Sequence, residues 1–435
     1  MPSSKNSREQ ETRHPKKARR SSGDLDDVYV IGVGTTRFAK HFDSSVKALA
    51  AEAAGKTLAD AGLVAKDLEA AYVSNTFWGM FADQHSIRGQ VMLRAMGVDA
   101  IPIVNTENAC AGASTSVHLA YTAIRAGMYD VVLALGSEKI THEDKMLSLK
   151  SYATCLDVED FDKHIQGFIA LSESLNLQIP DTGAPGEGRS VFMDLYAVGA
   201  RWHMARYGST QRQLAVIASK NHLHSSMNPN AQYQVKMTVE EVLADKLIAF
   251  PLTRAMCAPV GDGAAGAILC SSAYLKKLNG ARPVKVRASV LASGRERDID
   301  DEDIGVRLSR SAYEISGLGP EDIHTAEVHD ATAYGELHQA EALGFCPEGE
   351  GGVLAESGAT TLGGSIPLNT SGGLECRGHP IGASGLAQIH EVVTQVRGEA
   401  GVRQVEGARI GMTENGGGNI GVEEAAMTIH IFEKA

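Results

Sequence analysis

Cys110 has the sequence setting of a nucleophile. It stands in "NTENACAGAST", residues 105–115, among small neighbours (Ala109, Ala111, Gly112, Ala113 and Ser114), just ahead of a helix carrying Val117, Leu119, Ala120 and Ile124. Small neighbours leave room for a group bound to sulfur, and a helix N-terminus favours thiolate through the positive end of its macrodipole. Tight packing alone explains the same residues, so the reading turns on whether a base is at hand. Two histidines qualify. "AEVHDATAYGEL" sets His329 and Asp330 just past a strand, and "LECRGHPIGASG" sets His379 in a glycine-flanked turn before a helix. Within hydrogen-bond reach, such a ring deprotonates a thiol or polarises a carbonyl. A third candidate is "TENGGGNIG", residues 413–421, where Gly416 to Gly418 let the backbone approach a ligand and aim amides at a developing oxyanion. His203, His222 and His224 read as parts of a polar helical surface; Cys270 falls in an apolar strand, and Cys346 and Cys376 in loops.

The elements that must position these residues alternate between short apolar strands and amphipathic helices. "DVYVIGVG" is followed by a helical stripe (Val46, Leu49, Ala50, Ala53, Leu58, Ala61) and then by the strand "AAYVSN". This pattern predicts an α/β fold with a largely parallel sheet and helices on its faces. The chain also repeats itself. Gly62, Leu63, Asp67, Leu68, Ala71 and Val73 recur at one constant offset as Gly317, Leu318, Asp322, Ile323, Ala326 and Val328. Asn105-Thr106 and Gly112-Ala113-Ser114 recur as Asn369-Thr370 and Gly382-Ala383-Ser384, and "DGAAGAILCS" and "EEAAMTIHIF" read as matching closing strands. Duplication makes His379 the counterpart of Cys110, and pseudo-twofold packing brings the two helix starts together. The predicted units are a basic tail (1–27), a first half (28–280) holding an insertion (141–250) that covers the sheet's active edge, and a second half (281–435).

Composition narrows the function. The net charge is −12, yet residues 1–20 carry seven Lys and Arg against two Glu. That tail, with its "KKARR" patch, has too few apolar residues to fold, and the strongly acidic remainder argues against nucleic acid as a partner. No apolar run approaches a membrane span. Six cysteines without zinc-type spacing read as reduced thiols in the cytoplasm, with no metal.

Taken together, "ENACAGAS", "PLTRAMCAPVGDGAAGAIL", "EVHDA", "GHPIGASG" and "ENGGG" resemble the thiolase family, most of all its sterol-carrier and lipid-transfer branch, from about residue 28 onward. The resemblance implies two βαβαβαββ halves in a five-layered α-β-α-β-α arrangement with an inserted loop domain, forming a homodimer or homotetramer. It implies acyl transfer on acetyl-CoA or 3-oxoacyl-CoA, by thiolytic cleavage or Claisen condensation, with coenzyme A as substrate and no cofactor. Cys110 would carry the acyl group, His379 would take its proton, and His329 would act through a water in the oxyanion hole, with Asn415 and Gly416 in the adjoining loop. Some members work with a small OB-fold partner. The family's second acid/base is a cysteine, either directly after the His-Asp pair or in the final glycine segment. Here Ala331 and Glu414 occupy those places, which makes Glu414 the expected acid/base. The same departures keep a retro-aldolase, a thioester hydrolase and a non-catalytic acyl-CoA carrier or scaffold subunit as alternatives.

Overall fold

The computed structural model describes residues 26–435. Of the expected tail only Asp26 and Asp27 fall within the described residues, and Asp27 is tied to the fold by an ion pair with Lys285 (2.8 Å). The first half runs β1 (Val28–Thr35), α1 (Val46–Ala61), β2 (Ala70–Ser74), α2 (Trp78–Ala82), α3 (Arg88–Arg94), β3 (Ile103–Thr106), α4 (Gly112–Arg125) and β4 (Val131–Glu138). Five helices follow: α5 (Lys145–Ala153), α6 (Phe161–Ser174), α7 (Val191–Tyr207), α8 (Gln211–Ser226) and α9 (Val239–Ala244). A hairpin, β5 (Leu247–Ala249) and β6 (Leu252–Thr253), leads back to β7 (Gly263–Ser271) and the short α10 (Ser272–Leu275). The second half comprises β8 (Val284–Ser293), α11 (Ile304–Ser316), β9 (Thr325–Glu327), α12 (Ala333–Ala342), α13 (Gly351–Glu356), α14 (Ser384–Arg397), β10 (Ile410–Ile420) and β11 (Glu423–Lys434).

The repeat read from the sequence is a structural repeat. In the first half the strand order is β3-β2-β4-β7-β1, and in the second β9-β10-β11-β8, with Leu368 bridged to Ala326 in the place of β3. α1 starts on Ser45, whose hydroxyl accepts the Ala48 N–H, and α11 starts on Asp303, whose carboxylate accepts that of Val306. Both helices stop at a left-handed glycine, Gly62 (φ 66°) and Gly317 (φ 70°). The sheet is mixed rather than largely parallel. β2 pairs parallel with β3 and β4, and β9 with β10, but β4–β7, β7–β1, β10–β11 and β11–β8 are antiparallel. Apolar alternation cannot reveal strand direction; the tight turn between β10 and β11 forces theirs.

Alternating residues on buried strands feed two layers. On β4, Val131, Leu133 and Leu135 pack outward with α1 and α3, while Val132 and Ala134 pack inward with α4 and α14. The inner cluster also takes Val284, Val286 and Phe432 from the second half, whose outer face is covered by α11 and α12. α4 and α14 thus form the middle of five layers, between the two half-sheets.

His203, His222 and His224 depart from the expected polar surface: all three are buried. His203 faces Glu341 (3.1 Å), and His224 bonds Asn369 O and the Leu362 N–H at 3.0 Å each, so these rings bridge the inserted helices to the second half. Helical periodicity alone does not show that α8 is packed on more than one side.

The middle layer is packed at backbone distance. A Cβ on Gly136 would lie 2.2 Å from the Gly382 carbonyl oxygen, and one on Gly385 would lie 2.7 Å from the Ser114 Cβ. Gly136→Ala is therefore expected to lower stability by about 1–3 kcal/mol, read as a drop in the urea unfolding midpoint.

Candidate active site

The turn between β3 and α4 presents Cys110. Glu107 accepts the Ala109 N–H (2.6 Å), and Ala109 adopts φ 47°, a left-handed conformation uncommon for a residue with a Cβ. The one-turn 3₁₀ helix Ala109–Ala111 then carries the thiol onto the start of α4. Opposite it, His379 sits on the loop before α14, its Nε2 3.2 Å from the Cys110 Sγ. The Ser384 hydroxyl donates to the Pro380 carbonyl (3.0 Å) and so accepts from His379 Nδ1 (2.7 Å). That leaves the Nε2 lone pair aimed at the thiol, the tautomer a general base requires.

His329 is held in the opposite sense. Asn415 Nδ2 donates to His329 Nδ1 (3.0 Å), and the Ser114 hydroxyl lies between Asn415 Oδ1 (2.9 Å) and the Ala111 carbonyl (3.0 Å). With Nδ1 accepting, His329 Nε2 carries the proton and serves as a donor to an oxygen. Ser384 and Asn415 thus set the two histidine roles. The polar atoms of Cys110, His329 and His379 lie within 4.8 Å of one another. Two imidazoles and a cysteine are ligand types that suit zinc, and the bonds of the two rings to Ser384 and Asn415 suit proton transfer at the same atoms.

The loop bearing His379 is tied to β9 and to the segment after it that bears His329. Glu327 accepts the Ser371 N–H (3.0 Å) and contacts Arg377 (3.3 Å), and Asp330 accepts the Leu374 N–H (2.6 Å). Asn221, from α8, donates to Asp330, Glu336 and Glu375 at 3.0–3.1 Å. Burial, then Glu336 and Glu375, raise the Asp330 carboxyl well above its ordinary value.

The glycine segment is part of β10, with Gly416 opposite Met427 and Gly417 opposite Ala426. A Cβ on Gly417 would lie 2.2 Å from Asn108 O, so only glycine lets β10 touch the nucleophile turn. Gly416 lines the cleft, while the Gly418 N–H reaches the sulfur, along with that of Cys110 itself. Glu414 is fully buried: its Oε2 accepts the His329 N–H (2.8 Å), its Oε1 has no partner among the described residues, and burial pushes its carboxyl up to about 8. It faces the backbone of His329 and is not on the cleft wall.

The cleft encloses about 240 Å³, with Cys110, His329, His379 and Ala331 on one side and Tyr152, Met193 and Tyr196 of the inserted helices on the other. A second chamber of about 490 Å³ adjoins it, and Phe192, Tyr196, His329, Gly418 and Glu424 belong to both walls.

Residues 28–273 match the model of the thiolase N-terminal domain, and residues 293–431 that of the thiolase C-terminal domain-like family. The chain belongs to the thiolase family. It is 39% identical over 413 residues to an acetyl-CoA acetyltransferase of Methanothermobacter thermautotrophicus, spanning 94% of this chain and all of that one. It is 36% identical over 428 residues to sterol carrier protein 2 of Bos taurus, spanning 94% of this chain and 75% of that one. Its fold matches the solved Ltp2-ChsH2(DUF35) aldolase at a TM-score of 0.73 and 22% identity, over 94% and 99% of the two chains.

Two expectations for this thiolase change. Burial first, then Glu107, push the Cys110 thiol up to about 12, against the Gly418 N–H, so desolvation outweighs the helix terminus and the resting thiol is protonated. The small residues after Cys110 serve backbone packing: Ala113 is fully buried 3.2 Å from the Cβ position of Gly136, while the thiol's surroundings are Phe77, Tyr152, Cys155 and Ile381. Sequence reasoning did not single out Ser384, though its repeat partner Ser114 was visible. It also missed Tyr196 and Glu424, which only the folded cleft brings to Cys110.

Ser384→Ala removes the acceptor that fixes the His379 ring. A hydrogen bond to a group that becomes charged contributes about 1.5–3 kcal/mol, so acylation of Cys110 is expected to slow roughly 10- to 100-fold. Rapid-quench labelling with acetyl-CoA measures it.

Proposed function

We propose that this chain, an acyl-CoA C-acyltransferase, cleaves or forms 3-oxoacyl-CoA through an acyl-Cys110 intermediate. The observation that carries this reading is the 3.2 Å contact between Cys110 and the lone-pair face of His379. As Cys110 attacks a thioester or 3-keto carbonyl, its proton passes to His379. The oxygen that gains charge lies within reach of the Gly418 and Cys110 amides, and His329 donates to the second carbonyl. A closed cleft makes each of these dipoles worth more than in water. Coenzyme A is a substrate, and the reading requires no resident cofactor. The six free thiols support a reducing, cytoplasmic setting. Among the described residues no helix is long and apolar enough to cross a membrane.

A second reading, aldol cleavage of a 3-hydroxyacyl-CoA, is favoured by Ala331 and Glu414, where the family carries its second thiol. It would suit a small OB-fold partner of the kind the first reading also permits.

Incubation with acetyl-CoA or acetoacetyl-CoA followed by intact-mass analysis tests the reading. Wild type is expected to retain an acetyl group on Cys110 and Cys110→Ala none, and His379→Ala to slow acylation by about 10²–10⁴. Burial, with His329 and Arg377, holds His379 well below 6.5. The neutral ring is the base, so a lowered value keeps it active in acid. Acylation is expected to hold its rate from about pH 9 down through about 6.5 and to fall only below that.

We also infer a homodimer, or a tetramer built from it, through the outer edge of β3. Its second-half counterpart around Leu368 is covered by α8, with Lys220 on the Leu368 carbonyl (2.9 Å), whereas Val104 on β3 and nearby Ile87 are 43% and 61% exposed. A bare edge strand is a pairing surface. Sedimentation equilibrium is expected to give at least twice the 46.1 kDa chain mass for wild type, and a smaller assembly for Val104→Asp.

A further inference from the structure

We propose that Glu424, on β11, is the acid/base of the carbon–carbon step, exchanging a proton with the α-carbon of the thioester that becomes an enolate. The proposal rests on the acyl-Cys110 reading and names the group that reading lacks.

Among the described residues, Glu424 is the one carboxylate on the wall of the Cys110 cleft. Strand alternation separates it from its neighbour: Glu423 is buried in ion pairs with Arg297 and Arg307, while Glu424, among the described residues, has no ion pair and no side-chain hydrogen bond to another residue. Glycine at 416 makes the space, since a Cβ there would stand 3.0 Å from the Glu424 Cγ. Tyr196 reaches over the same wall from α7. Three competing groups, Glu414, Asp330 and Cys257, are committed elsewhere, while Cys155 shares the cleft wall. Glu414 is bound to the backbone of His329, and Asp330 to that of Leu374. Cys257 donates to Thr253 O (3.3 Å), and burial holds Cys155 well above an ordinary thiol. Burial also raises the Glu424 carboxyl, with His338 acting against it, towards the range where a carboxylate both takes and returns protons.

In the condensing direction the carboxylate of Glu424 takes a proton from the α-carbon of acetyl-CoA. The C–H electron pair becomes an enolate, whose oxygen accepts from His329. The enolate carbon bonds to the acyl carbonyl carbon on Cys110, and the C–S bond breaks with its electrons on sulfur. Glu424 is then protonated and Cys110 a thiolate, and transfer of that one proton restores both. In cleavage the same carboxyl protonates the departing enolate, and its carboxylate then deprotonates the incoming coenzyme A.

The test compares full-length wild type, Glu424→Gln and Glu424→Ala in three assays: acetylation of Cys110 by acetyl-CoA, α-proton exchange of acetyl-CoA in deuterated water, and thiolysis of acetoacetyl-CoA. In Glu424→Gln, acetylation is expected to persist while exchange and thiolysis fall by about 10²–10⁴. Added formate is expected to restore part of the exchange in Glu424→Ala. Wild-type exchange and thiolysis in Glu424→Gln would overturn the proposal. So would loss of acetylation alongside them without formate rescue, the mark of a structural role. Wild type that never acetylates Cys110 overturns the underlying acyltransferase reading, an outcome distinct from either.

Discussion

Gly385, at the start of α14, has no space for a side chain because Ser114, at the start of α4, lies against it, and Gly136 of β4 is pressed in the same way onto the backbone of Gly382. Everything chemical in this thiolase follows from that closeness. α4 carries Cys110 on the turn just before its first residue, and α14 carries His379 on the loop before its own. Had the two helices been spaced by ordinary side chains, the thiol and imidazole would sit several ångströms further apart, beyond proton transfer. The glycine of β10 at 417 does the same job from a third direction, bringing the amide ladder onto the nucleophile turn. Duplication of one half-domain is an economical way to obtain such a junction, since equivalent helix starts converge on the pseudo-twofold axis.

The junction is dry, and its dryness sets protonation states. Burial lowers His329 to about 4, holds His379 well below its ordinary value and raises Cys110 to about 12, so the resting site is uncharged at neutral pH. An uncharged site avoids the cost of an isolated buried ion and separates charge only when substrate is present to be attacked. Beneath it, the loop leading to His379 is fixed to Glu327 and Asp330 through backbone amides, which ties together the segments that carry the two histidines.

The sequence by itself determined the duplication, the closing strands and the pairing of Cys110 with His379. Local patterns sufficed because each half is a run of adjacent elements, with glycines at fixed helix ends such as Gly62 and Gly317. Alternation could not report strand direction, so the antiparallel majority of the sheet was not legible. Nor could helical texture show that α7 and α8 are packed on several sides, which is why His203 on α7 and His222 and His224 on α8 are buried and not exposed.

At the site, residue types were legible and environments were not. A helix N-terminus beside a cysteine suggests thiolate, but the sign of the shift depends on how completely the surrounding chain excludes water, and that chain includes residues 152, 155 and 381. Register placed Glu414 where a proton carrier was missing, yet the strand turns its carboxylate onto the His329 amide. Glu424, ten residues on, enters the cleft because β11 folds back antiparallel on β10, opposite Asn419. Sequence fixes which groups exist and the period at which they recur. Only the tertiary structure decides which of them share one enclosed volume, because desolvation and contact are properties of segments distant along the chain.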